Sequence, residues 1–180
     1  FDLRDAKTGD SSAYLSAVSQ MNAVRKSLGY CPQFDGVHPN LTAVEHLRMY
    51  AAIRGYRFSD PQAIASELID RLQLRKLADR RTLAGNYSGG NKRKLSVAIA
   101  LVGEPPVVLL DEPSTGMDVD TKRFMWEVIR SLREQAVILT SHSMEECEAL
   151  CDNVGIMVAG EFRCLGSLQH LKSKYGEGYS

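Results

Sequence analysis

Two adjacent carboxylates, Asp111 and Glu112, close the apolar run Val107-Val108-Leu109-Leu110. Such a run fits a strand buried on both faces and is too short for an ordinary buried helix. The acids then stand at the carboxyl end of that strand, the edge at which open α/β sheets bind ligands. Successive side chains of a strand point in opposite directions. One of the two can thus face a Mg²⁺ ion while its neighbour faces a water molecule.

Four further features carry polar chemistry toward the same edge. His142 follows the apolar segment Ala136–Thr140, which places an imidazole at the end of a second strand. Gln33 follows the short strand predicted at Leu28–Cys31, and its amide can reach a metal or a water from one side. Ser88-Gly89-Gly90 precedes a helix, whose first N–H groups and positive end can receive phosphate oxygens. Asp118 ends the turn that follows the acids. Each has a plainer reading alone: a structural histidine, an exposed loop glutamine, a helix cap at Ser88 and another at Asp118.

The elements that must hold these residues follow from patterning. A loose helix is expected between Tyr14 and Lys26, and Pro32 stops the strand 28–31. Thr42 with Glu45 forms a capping box for a helix carrying Val44, Leu47 and Ala51 and closed by Gly55. A second helix starts at Ser59 or Asp60, with Pro61 in its first turn, and buries Ile64, Leu68, Ile69 and Leu72. Residues 75–87 read as a connection, and a third helix runs from Ser88 to Gly103. Strand 107–111, helix 118–134, strand 136–140 and helix 143–150 then alternate as in a parallel α/β sheet. Ser143 with Glu146 reads as a second capping box. Val154, Ile156 and Val158 alternate up to a turn at Ala159-Gly160, Phe162–Leu165 returns as a hairpin, and a short helix begins at Ser167. The simplest architecture is an α/β core with an inserted helical lobe.

Composition narrows the function classes. The 180 residues are 44% hydrophobic, enough for one domain with a core. Lys plus Arg and Asp plus Glu both total 22, so charge offers no reason to expect nucleic acid as a partner. The longest apolar run, Val97–Val102, is six residues, against the ~20 that a membrane-spanning helix needs. Asp2, Arg4, Asp5, Lys7 and Asp10 interrupt any apolar stretch of secretory-signal type. Cys147 and Cys151 share a helical face, where buried small hydrophobes are expected ahead of a metal or disulfide role. A reducing, cytosolic setting fits.

The order of these features resembles the nucleotide-binding domain of ATP-binding cassette (ABC) proteins, from about Leu28 to the C-terminus. Tyr-Cys-Pro-Gln-Phe-Asp at 30–35, Tyr-Ser-Gly-Gly-Asn-Lys-Arg-Lys-Leu-Ser at 87–96, Leu-Leu-Asp-Glu-Pro-Ser-Thr-Gly-Met-Asp at 109–118 and Thr-Ser-His-Ser-Met-Glu-Glu at 140–146 carry the resemblance. With Arg-Cys-Leu-Gly-Ser at 163–167 they are similar to the A subfamily, whose members mostly move lipids. Tyr87 and Asn91 replace the commonest Leu and Gln of the signature, and both suit that subfamily.

The resemblance implies a P-loop NTPase-like (RecA-like) parallel sheet with an inserted helical subdomain. The Gln loop would span 28–36, the helical subdomain with its signature about 40–105, and the remaining core with the C-terminal hairpin 106–180. It implies ATP and Mg²⁺ as cofactors, with Asp111 holding the metal, Glu112 polarising the attacking water, His142 steadying the γ-phosphate and Gln33 sensing metal and water. Ser88, Gly89, Gly90 and Asn91 would meet ATP bound mainly by a second nucleotide-binding domain, and Asp118 would link the two sites. Residues 34–50 would face the transmembrane domains, on the cytosolic side of a membrane.

No Gly-x-x-x-x-Gly-Lys-Ser/Thr occurs in these residues, so the first strand and phosphate loop of that fold are expected to be missing. Thr8-Gly9-Asp10 reads as a remnant just past them. Charged hydrogen bonds contribute ~1.5–3 kcal/mol each, so losing three weakens ATP binding by about 5 kcal/mol, on the order of 10³ to 10⁴ in dissociation constant. The chain alone is expected neither to bind ATP tightly nor to hydrolyse it, and to expose unpaired strand edges and apolar surface. Two other readings are a non-catalytic fragment that binds or regulates an intact partner domain, and a soluble ABC ATPase, which the ending at 163–167 disfavours.

Overall fold

The computed structural model describes residues 18–34, 36–56 and 60–175. Thr8-Gly9-Asp10, residues 14–17 of the first expected helix and Asp35 lie outside them. The described residues form a mixed α/β structure with eight α-helices, a three-stranded parallel sheet and a hairpin. Helix α1, Met21–Ser27, leads directly into β1, Leu28–Cys31. Four helices follow: α2 (Ala43–Ile53), α3 (Asp60–Arg71), α4 (Arg75–Asp79) and α5 (Gly89–Leu101). Then come β2 (Val107–Asp111), α6 (Val119–Arg130), β3 (Ala136–Thr140), α7 (Met144–Leu150), the strands β4 (Val154–Val158) and β5 (Glu161–Gly166), and α8 (Leu168–Tyr175).

The sheet order is β1-β2-β3, all parallel. Its register sets Cys31 beside Leu110 and Asp111 beside Thr140, so the loops after all three strands open at one edge. Alternation sorts the side chains into two faces. Cys31, Val108 and Leu110 are buried on one face, where they join a core with Leu95, Val97, Leu101, Met125, Val128 and Ile129 from α5 and α6. Gly29 makes that approach possible: a β-carbon there would fall 2.1 Å from the carbonyl oxygen of Ala100.

The other face departs from the expectation of a strand buried on both sides. Val107 and Leu109 are only partly buried, Tyr30 is 56% exposed and Ile138 is 61% exposed. β3 pairs with β2 alone, and β4 with β5 alone, so among the described residues the sheet and the hairpin share no ladder. An apolar run reports hydrophobicity on both faces; whether anything covers the second face depends on the rest of the fold.

Other boundaries depart locally. Residues 75–87 are not a plain connection: they hold α4 and a 3₁₀ turn at Ala84–Asn86, each too short for a periodic pattern to reveal. α6 ends at Arg130, four residues before the expected end; Ser131 caps it, and its hydroxyl donates to the carbonyl of Val128 at 2.6 Å. The Thr42–Glu45 capping box is present in both halves. At α7 only half of one exists: Ser143 Oγ accepts from Glu146 N–H, while the Glu146 carboxylate turns inward to other donors. The hairpin turns through Ala159 and Gly160, both at positive φ (51° and 81°), the conformation of a type I′ turn.

Candidate functional site

The carboxyl edge of the sheet gathers the acids, the imidazole and the glutamine loop. Asp111 ends β2, and its Oδ1 accepts from Thr140 Oγ1, at the end of β3, at 2.5 Å. The same hydroxyl accepts from Glu112 N–H at 3.2 Å, so Thr140 ties both acids to the neighbouring strand. Glu112 has left the strand: its φ of +50° lies in the left-handed region that a side chain enters at a cost. That turn brings its carboxylate to His142, whose Nδ1 lies 2.8 Å from Glu112 Oε2. Thr115 Oγ1 donates to the same oxygen at 2.9 Å.

A carboxylate only accepts, so His142 Nδ1 carries the proton of this bond and Nε2 is left for another partner. The glutamate side chain is recessed, 16% exposed, whereas the histidine is 75% exposed. The pair therefore presents an outward imidazole backed by an inward acid.

Arg93 connects this cluster to Gln33. Its guanidinium, on α5, is 4% exposed and donates to the carbonyls of Pro32 and Gln33 on one side and of Asp111, Glu112 and Pro113 on the other. A planar fork of five N–H groups suits such a set of acceptors, and an ammonium does not. Sequence reading passed over Arg93 because Lys92-Arg93-Lys94 looks like a solvated charge run. The signal was its spacing, four residues before buried Val97 on the same helical face.

The Ser88 turn stands apart from the acids, against the start of α6. Ser88 caps α5 by accepting from Asn91 N–H at 3.3 Å. Ser88 and Gly89 are exposed, and a β-carbon on Gly90 would meet Thr121 at 3.5 Å. Asp118 caps α6 through Thr121 N–H at 2.9 Å, and that bond holds its carboxyl below the usual carboxylate range. Among the described residues no hydrogen bond joins Ser88–Asn91 to Asp111, Glu112 or His142. Asp111, Glu112, His142 and, through Arg93, the Gln33 backbone thus form one cluster. Ser88 to Asn91 and Asp118 form a second.

The cysteines do not build a metal centre. Among the described residues all four are free thiols, and no group of three or more His, Cys, Asp and Glu side chains is disposed to hold a metal. Burial beside Cys147 pushes the Cys151 thiol up to about 11.

Residues 5–115 match the ABC transporter family. The human retinal-specific phospholipid-transporting ATPase ABCA4 is 55% identical over 175 residues, 96% of this chain and 8% of that protein. Human ATP-binding cassette sub-family A member 2 is 52% identical over 91% of the chain and 7% of its own length. The human phospholipid-transporting ATPase ABCA3 is 52% identical over 90% and 10%. The chain therefore spans a tenth or less of each of these relatives. Among solved structures, an ATP-binding subunit of an ABC transporter superposes with a TM-score of 0.78 at 24% identity, over 92% of this chain and 70% of that one. A dimeric ATP-binding cassette in a post-hydrolysis state, bound to ADP and Pi, gives 0.74 at 20% identity, over 86% and 68%. These likenesses establish the fold; the sequence match reaches further, and the chain belongs to the ABC transporter family as a nucleotide-binding domain of the A-subfamily type.

Proposed function

We propose that this chain is an ATP-hydrolysing domain that powers transport, of lipid in particular, from the cytosolic face of a membrane. The observation that carries the reading is the bond between His142 Nδ1 and Glu112 Oε2 beside Asp111, where β2 and β3 end. Phospholipid transport in the names of the relatives ABCA4 and ABCA3 supports the lipid.

The residues present fit ATP with Mg²⁺. The Asp111 carboxylate and the Gln33 amide oxygen are hard donors of the kind Mg²⁺ takes. Bound ATP and its metal supply the γ-phosphoryl group and neutralise charge on its oxygens. Asp111 and Gln33 would hold the metal, and Glu112 would orient a water and draw on its proton. His142, its tautomer fixed by the bond to Glu112, would offer Nε2 to the phosphate. Positioning of this kind accounts for most of the rate in phosphoryl transfer. The strained backbone at Glu112 fits that task, since it aims the carboxylate out of the strand plane toward His142.

The turn of Ser88, Gly89, Gly90 and Asn91, exposed at Ser88 and Gly89, serves ATP held by a second nucleotide-binding domain in head-to-tail pairing, with Asp118 at the seam. Residues 34–50 dock on the transmembrane domains: Phe34 is 83% exposed, and a cleft of about 300 Å³ lined by Glu45, Arg48, Met49, Ala52 and Pro61 opens beside that stretch. In this reading 28–36 is the Gln loop, about 40–105 the helical subdomain and 106–180 the rest of the core. The domain itself is the water-exposed part, and among the described residues no helix is long and apolar enough to cross a membrane.

Glu112→Gln tests the assignment in the intact transporter that carries this chain. Steady-state ATP hydrolysis is expected to fall by about 100-fold or more while nucleotide binding persists. Hydrolysis at the parental rate would sink it.

A further inference from the structure

Glu146 is 1% exposed although it stands in the first turn of a short helix, where glutamates are usually solvated. Its carboxylate accepts from Trp126 Nε1–H on α6 at 2.9 Å and from Ser141 Oγ–H at 2.6 Å. Ser141 Oγ in turn accepts from Ser143 N–H at 3.0 Å, and Ser143 Oγ from Glu146 N–H at 3.3 Å. Ser141, on one side of His142, is therefore tied to the buried carboxylate, and Ser143, on the other, to Ser141 and to the Glu146 N–H, while the imidazole between them is 75% exposed and bonded to Glu112.

α6 reinforces the arrangement from its outer side. Lys122 Nζ lies 4.9 Å from the centre of the Trp126 ring, 3.5 Å from Ser143 Oγ and 3.6 Å from Glu145. The same helix starts at Asp118, beside the Ser88 turn. A buried carboxylate costs stability unless charged hydrogen bonds offset it, and here every acceptor position in use is spent on groups that frame His142 or on the helix leading from Asp118.

We propose that Glu146 is a positioning residue: with Trp126 and Ser141 it latches α6 to the 141–143 turn and sets His142 against Glu112. The inference rests on the reading of Asp111, Glu112 and His142 as the hydrolytic site. It also gives a route by which movement of the Asp118 turn reaches the histidine, along a single helix and one buried acid.

Ser141→Ala isolates the latch, because it removes the carboxylate's bond to the turn and leaves the Trp126–Glu146 bond in place. Two readouts are needed. In dilute solution of the 180-residue chain, amide hydrogen exchange across 141–146 should quicken relative to the parent. In the intact transporter, kcat should fall by about tenfold while KM for ATP stays within about twofold, the signature of a lost transition-state contact. Ser141→Thr keeps the hydroxyl and should restore both.

Unchanged exchange, unchanged kcat, a KM that rises in step, or no rescue by threonine each overturns the latch. Glu112→Gln, run alongside, separates the two levels. If it abolishes hydrolysis while Ser141→Ala is silent, the latch fails and the site stands; if Glu112→Gln turns over at the parental rate, the site itself fails.

Discussion

Glu112 and Arg93 show how much of the site hangs on single residues. The acid leaves its strand at a φ that side chains rarely adopt, and the arginine binds the backbone on both sides of that departure. Charge-assisted bonds to carbonyls contribute more than neutral ones, and carbonyls left without donors are penalised. Arg93→Lys keeps the charge but loses the fork. It should lower stability by about 2 kcal/mol or more, read as a fall in the urea midpoint of the helical circular dichroism signal. A parental midpoint would show that the bonds to the Gln33 and Asp111–Glu112 carbonyls contribute nothing net. That Asp111, Glu112, His142 and Gln33 end or follow strands was legible because each comes after an apolar run that can be recognised locally. Arg93 and Glu146 were not, because Lys-Arg-Lys and Glu-Glu read as solvated charge until packing buries Arg93 and Lys94 of the one and Glu146 of the other.

At the scale of elements, α2 is the clearest case of local signals that also hold long-range structure. The Thr42–Glu45 box starts it, and His46 then locks the loop before it. His46 Nε2 accepts from His38 N–H at 2.8 Å, and Nδ1–H donates to the carbonyl of Thr42 at 2.9 Å, so the ring is neutral with both nitrogens in use. Burial pushes its pKa below the ordinary 6.5. A lowered folded-state value means that the stability it contributes is complete above the unfolded-state value and is lost as pH falls through the folded one. The urea midpoint should therefore drop between about pH 7 and pH 5. His46→Gln, which cannot titrate, should lose that part of the slope even if it is less stable at neutral pH. The boundaries that reading missed, α4 and the early end of α6, involve only a few residues each, and neither leaves a periodic trace.

Taken whole, the molecule buries one face of its sheet and leaves Tyr30 and Ile138 open on the other. An edge of β3 and an edge of β4 stand without ladder partners among the described residues. No Gly-x-x-x-x-Gly-Lys-Ser/Thr occurs in these 180 residues. Isothermal calorimetry of the chain with ATP and Mg²⁺ should show no micromolar binding, because the contacts proposed above come from Asp111, Glu112, Gln33 and His142 without a phosphate loop. Micromolar affinity would mean that these residues bind nucleotide without a phosphate loop, and would overturn that account.

Family, strand positions and the identity of the principal polar residues were determined by the amino-acid order alone, because apolar runs, caps and glycine turns are encoded within a few neighbouring residues. Only the tertiary structure decided that Glu112 bends to meet His142, that Arg93 joins segments some sixty residues apart, that Glu146 is buried under Trp126, and that Tyr30 and Ile138 are exposed on one sheet face. Those contacts depend on which elements pack together, and no local pattern records the partner.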